Sequence, residues 1–254
     1  VRVYQFNGSS WIQLGTDIIG ESSGDLSGYS VSLSNNGSTL AIGARYNSGN
    51  GNNSGHVRVF ENISGNWMQI GSDIDGEASN DRSGHSISLS GNGKILAIGA
   101  PENDGNGNNS GHVRIFENIS GNWIQLGQDI NGEGVQDFSG WSVSLSNDAS
   151  MVAIGAIQND GSLNHSGHVR IYSFDGSFWT QIGNDIDGEG DTDYSGWSVS
   201  LSDNANLVAI GAPHNDGNGA NAGHVRVFSV GTENQYTSSP CSGCTDSLAI
   251  NYDP

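Results

Sequence analysis

The chain has 254 residues, 27 acidic against 8 basic side chains, a net charge of −19 and 39 glycines. An acidic surface repels phosphate backbones, so nucleic acid is excluded as a partner, and the same sign disfavours anionic membrane surfaces. No run of about 18 apolar residues occurs, so no membrane insertion is expected.

The elements repeat. Gly55-His56-Val57-Arg58-Val59-Phe60 returns at Gly111, Gly167 and Gly223, each step being 56 residues. Trp11, Trp67, Trp123 and Trp179 keep the same interval, as do Gly28, Gly84, Gly140 and Gly196. Residues 1–20 supply the last two strands, C and D, of one unit. Three complete units follow, and then strands A, B and C of another, ending near Phe228. In the second complete unit, strand A is Ser86–Ser90, with strict polar/apolar alternation. Strand B, Ile95–Gly99, is a continuous apolar run suited to burial on both faces. Strand C is His112–Phe116 and strand D is Trp123–Gly127. Short Gly/Asn turns join A to B and C to D, which is hairpin chemistry. Four antiparallel strands in a repeat of this length predict an all-β fold, a β-propeller of four-stranded blades. A β-solenoid is the alternative. A seven-bladed ring would need about 390 residues at this period, so the chain reads as part of a larger ring or a longer protein.

Ser27-Gly28-Tyr29-Ser30-Val31, then Leu40-Ala41-Ile42-Gly43-Ala44, then Gly55-His56-Val57-Arg58-Val59-Phe60 resemble the FG-GAP repeat of integrin α-subunits and microbial surface proteins. The Gly-Ala-Pro element stands at Gly99-Ala100-Pro101 and Gly211-Ala212-Pro213, and is broken at Arg45 and Ile157. Serine (Ser27, Ser83, Ser139, Ser195) replaces the family's phenylalanine. The resemblance covers residues 1–230 and implies strand A innermost. The family's calcium loop between A and B is missing, because Ser34–Ser38 and its equivalents are short and acid-poor. Residues 231–240 read as a polar linker. Residues 241–254, with Cys241, Cys244 and the run Ala249-Ile250-Asn251-Tyr252-Asp253-Pro254, resemble the start of a disulfide-containing repeat of secreted proteins. That resemblance implies an oxidising compartment.

In an up-and-down blade, the D–A and B–C connections share one face. They hold 15 and 4 acids, 19 of the 27 in the chain. Calcium, which seeks carboxylate oxygens, is expected at the richest loop: Asp185, Asp187, Glu189, Asp191 and Asp193. Gly190 fits the sixth position of an EF-hand loop, but Gly196 stands where the bidentate glutamate belongs. The competing reading has Glu21, Glu77, Glu133 and Glu189 capping turns or pairing with arginines. Arg2, Arg58, Arg114, Arg170 and Arg226 share one register position on strand C and are expected to join blades. His56, His112, His168 and His224 precede them, and as copies on separate blades they are too far apart to share an ion. The residue after each repeated glycine varies: Tyr29, His85, Trp141 and Trp197. Large rings at a channel mouth suit stacking on sugars or peptides, with plain inter-blade packing as the alternative.

No Gly-x-Ser-x-Gly elbow, P-loop or His-Glu-x-x-His motif occurs. The expectation is a non-enzymatic extracellular module, structural or adhesive, binding a protein or glycan ligand or copies of itself. A lectin-like use of the channel-mouth rings is the alternative.

Overall fold

A computed structural model describes residues 1–161 and 163–231, and the backbone of Ser238–Ser239. The linker and the cysteine-containing segment of the sequence reading lie otherwise outside the described residues.

The described chain is built from strands without a helix. An N-terminal pair, β1 (Tyr4–Phe6) and β2 (Trp11–Gln13), precedes four antiparallel sheets. The first blade is β3 (Ser30–Leu33), β4 (Thr39–Ala44), β5 (His56–Ile63) and β6 (Asn66–Gln69), with the short β7 (Ile74–Asp75) returning alongside β5. The second is β8 (Ser86–Leu89), β9 (Ile95–Ala100), β10 (His112–Ile119), β11 (Asn122–Gln125) and β12 (Ile130–Asn131). The third is β13 (Ser139–Leu145), β14 (Met151–Ala156), β15 (His168–Phe174), β16 (Trp179–Gln181) and β17 (Ile186–Asp187). The fourth is β18 (Ser198–Leu201), β19 (Leu207–Ala212), β20 (His224–Ser229) and β21 (Ser238–Ser239). These are β-propeller blades. The strand order matches the sequence reading. The added short strands β7, β12 and β17 carry the D–A connection back along strand C and set Asp75 opposite His56 and Asp187 opposite His168.

The cores lie between blades. Strand B presents large residues to one neighbour and small ones to the other: Leu96 and Ile98 pack with Ala41, Val57 and Val59 of the first blade. Ala97 instead meets Val143, Leu145 and Ile154 of the third. Burying such a leucine removes its whole side chain from water, worth about 1.5–3 kcal/mol. The innermost strands approach so closely that only glycine fits at two recurring points. Ser30 Oγ donates to the Gly84 carbonyl at 2.7 Å, and a Cβ on Gly43 would overlap that carbonyl. Gly84 has φ +82°, in the region open to glycine. The same serine–carbonyl bond recurs at Ser86–Gly140 and Ser142–Gly196.

β1 and β2 occupy the outer half of a blade position beside the first full blade, where Trp67 Nε1 donates to the Leu14 carbonyl. Among the described residues, no inner strands cover β3 from that side. Val31 and Leu33 are therefore about half exposed, whereas Ile87 and Leu89 in the same register are buried. Trp11, in the register of buried Trp179, is 69% exposed.

Candidate functional site

Two kinds of site emerge, one repeated and one singular. The repeated one lies on the loop face. Arg114 donates through Nη2 to the Asp75 carbonyl of the preceding blade, sets Nη1 3.5 Å from Glu77, and lies over the Phe116 ring. Arg58 pairs with Glu21, Arg170 with Glu133 and Arg226 with Glu189 in the same way. These arginines join blades as expected, each stacking on a Phe or Tyr ring of its own strand. Arg2 departs from the pattern and pairs with Asp17 at the surface.

Each of three histidines closes a group with carboxylates from two successive D–A connections: Glu21–His56–Asp73, Glu77–His112–Asp129 and Glu133–His168–Asp185. Their ligand atoms lie within 4.8 Å of one another, and each group can hold a metal ion. A glutamine orients the aspartate in each case: Gln69, Gln125 and Gln181 donate to Asp73, Asp129 and Asp185. Sequence reading missed these groups because it weighed histidine against histidine. The signal was the constant spacing from Glu to His to Asp.

The acids of residues 185–193 separate into different roles. Asp185 faces His168, and the Asp187 backbone carbonyl accepts from Arg226. Glu189 pairs with Arg226 and stands 3.6 Å from His224. Asp191 accepts from the Asn164 amide. Asp193 is buried, accepting from the Gly190 amide and the Asn215 side chain. Asp25, Asp81 and Asp137 make the same pair of bonds in their own blades, so this aspartate ties the D–A loop to the B–C loop.

The singular site is at the start of the innermost strands, where the sequence leads one to expect a channel mouth. Tyr29, His85, Trp141 and Trp197 come together as one row, with successive ring centroids 5.2, 4.5 and 5.2 Å apart. At one end the Arg45 guanidinium lies 3.9 Å over the Tyr29 ring and donates to the Tyr46 hydroxyl. Arg82 also lies over the Tyr46 ring, at 5.1 Å, and pairs with Glu102 at 2.5 Å. At the far end Trp197 meets His214, which also contacts Tyr194. His85 Nδ1 lies 3.2 Å from the Trp141 carbonyl and acts as its donor, which leaves Nε2, 3.5 Å from the Tyr29 hydroxyl, free to accept. Burial, reinforced by the Arg45 and Arg82 charges, pushes the His85 pKa down to about 4. Burial pushes the Glu102 carboxyl up despite its ion pair with Arg82.

Tyr46, Arg82 and Glu102 were not singled out in the sequence, and Arg45 only as a break in the repeat. The available signal was register: of the eight cations, only Arg45, Arg82 and Lys94 stand off the strand-C position, and Arg45 breaks the Gly-Ala-Pro element. By contrast, the groove between the first two blades is lined by Arg114, Phe116 and Trp123, all register positions.

The FG-GAP repeat profile matches residues 20–60, 63–116 and 185–228, and the chain belongs to the FG-GAP repeat family. No curated protein matches the chain in sequence. Among solved structures, the periplasmic gluconolactonase PpgL of Pseudomonas aeruginosa is similar in fold, with a TM-score of 0.61 at 16% identity. The match covers 93% of this chain and 62% of that one, so the chain spans under two thirds of that protein's length. A Bacteroides uniformis protein whose name proposes a 6-phosphogluconolactonase aligns at 12% identity and a TM-score of 0.48, over 93% of this chain and 76% of its own.

The fold likeness to the gluconolactonase corrects the expectation of a non-enzymatic structural or adhesive module with a lectin-like alternative. A propeller of this shape carries an enzyme's name. The missing hydrolase motifs do not count against catalysis, since propeller sites are assembled from loops of several blades rather than from one local motif.

Proposed function

We propose that the channel mouth is the reaction centre of a hydrolase that opens a small sugar-acid lactone. The observation that carries this reading is the convergence of Arg45, Arg82, Glu102 and Tyr46, whose residue types the other blades do not repeat, beside a neutral, buried His85. The fold likeness to a gluconolactonase supports the substrate class.

The chemistry follows from the side chains. His85 Nε2 takes a proton from water as its oxygen attacks the lactone carbonyl. The guanidiniums of Arg45 and Arg82 stabilise the oxyanion of the tetrahedral intermediate, in a site where burial strengthens their field. Collapse breaks the ring C–O bond, and the departing alkoxide recovers the proton from His85. The product is the open hydroxy acid, whose carboxylate the same guanidiniums attract. Trp141 and Trp197 offer flat apolar faces to the sugar C–H groups. Glu102 holds Arg82 in place. His85 is a weak base, but a strained lactone is an activated ester and asks little of it. A secreted or periplasmic location accords with the neighbour's compartment.

The test is hydrolysis of glucono-δ-lactone followed in a pH-stat. The full chain is expected to exceed the spontaneous rate, and His85→Ala to lose about 10²–10⁴-fold of that excess. A wild-type rate equal to the spontaneous one would overturn the reading.

A further inference from the structure

We propose that Glu133, His168 and Asp185 bind a divalent cation of the zinc class, which fastens the third blade to the connection arriving from the second. The two equivalent groups, Glu21–His56–Asp73 and Glu77–His112–Asp129, repeat the site one blade apart. This inference is independent of the lactone-hydrolase reading, since the groups lie off the channel-mouth cluster and contain none of its residues.

The geometry is that of a ligand set awaiting a centre. His168 Nδ1 stands 3.5 Å from Asp185 Oδ2 and 3.9 Å from Glu133 Oε2. Those separations are close to the edge of a tetrahedron built on bonds of about 2.0–2.2 Å, the zinc–nitrogen and zinc–carboxylate range. They are too long for hydrogen bonds between the ring and the carboxylates. The histidine side chain is 1% exposed, and neither of its ring nitrogens has a hydrogen-bond partner among the described residues. A buried polar group in that condition is rare and is normally satisfied by something bound.

The second oxygen of each carboxylate is already engaged. Glu133 Oε1 faces Arg170 at 3.4 Å, and Asp185 Oδ1 accepts from Gln181 at 2.7 Å. The remaining oxygens of the two carboxylates lie against each other and toward His168, held by an outer shell of the kind that orients metal ligands. Two carboxylates against one guanidinium also leave a negative charge that a cation offsets. The imidazole decides the class of ion: calcium and magnesium take oxygen ligands, whereas imidazole suits zinc, nickel and cobalt. One half-exposed carboxylate leaves room for water in the fourth position. Glu133 belongs to the connection after β12 and His168 to β15, so the ion would bridge two blades.

The experiment uses the full chain, stripped with EDTA, dialysed, and titrated with zinc chloride by calorimetry, with thermal melting in parallel. The wild type is expected to bind at least three equivalents. Saturation is expected to raise the melting temperature by about 5 °C or more. Glu133→Gln, at a half-exposed carboxylate whose loss leaves the core intact, is expected to remove one equivalent. His168→Gln is expected to do the same where it folds. Cobalt(II) provides a separate readout: its ligand-field spectrum in the wild type should lose one third of its intensity in Glu133→Gln. Absence of zinc binding, an unchanged count in Glu133→Gln, or preference for calcium over zinc would each overturn the proposal.

Discussion

The loop-face rim and the channel mouth are made from the same 56-residue unit, yet they use it in opposite ways. On the rim, Glu77, His112, Arg114 and Asp129 are copied blade after blade, with the same partners at nearly the same distances. At the mouth, the residue after the repeated glycine changes from Tyr29 to His85 to the tryptophans Trp141 and Trp197, and Arg45, Arg82 and Glu102 have no counterparts of their own type in register. Residues that every blade shares hold blades together. Residues that one blade alone carries are the ones whose presence packing does not require.

That contrast can be broken most directly in the core. Leu96 is fully buried at the joint of the first two blades, so Leu96→Ala is expected to cost about 2–5 kcal/mol in urea unfolding. A smaller loss would mean that the blades are not held by inter-blade burial. At the mouth, Arg45→Pro restores the repeat's own Gly-Ala-Pro element. It is expected to keep the melting temperature within about 2 °C while cutting lactone hydrolysis about tenfold or more. A stability loss without an activity loss would reverse the assignment of roles.

The buried aspartate caps come next. Asp137→Ala leaves the Gly134 amide and the Asn159 side chain without their acceptor, an expected loss of about 1–3 kcal/mol by calorimetry. A smaller effect should follow from pH. In the metal-free chain His85, His112 and His168 are held at about 4, chiefly by burial, against 6.5 when exposed. The unfolded chain therefore binds more protons between those values. The stability these histidines contribute is complete above pH 6.5 and is lost as pH falls toward 4. The melting temperature should fall across that window, and His112→Gln should flatten the fall. In lactone hydrolysis the acid limb should appear near pH 4 rather than 6.5. Smallest of all, Trp11→Ala should change stability by less than about 0.5 kcal/mol, because its ring is mostly in water, unlike that of buried Trp179.

The propeller was legible because its signals are local and repeated. Alternation in strand A, the unbroken apolar run of strand B and the glycine turns are each read within a few residues, and the 56-residue step multiplies them. The row Tyr29–His85–Trp141–Trp197 was legible for the same reason, as one position followed through the repeat. The polar half of the mouth was not. Arg45, Arg82 and Glu102 lie in different connections of two blades, and nothing in their sequence neighbourhoods shows that they meet. The Glu–His–Asp groups escaped for a related reason: their members come from two successive D–A connections and a strand between them.

The sequence alone determined the unit, its strand order, its acidic loop face and the family to which it belongs, because each of these rests on patterns short enough to be read along the chain. Only the tertiary structure decided which acids are caps, which face a histidine and which cations gather at His85. Those outcomes depend on the angle between neighbouring blades and on burial, which set distances and pKa values between residues remote in sequence.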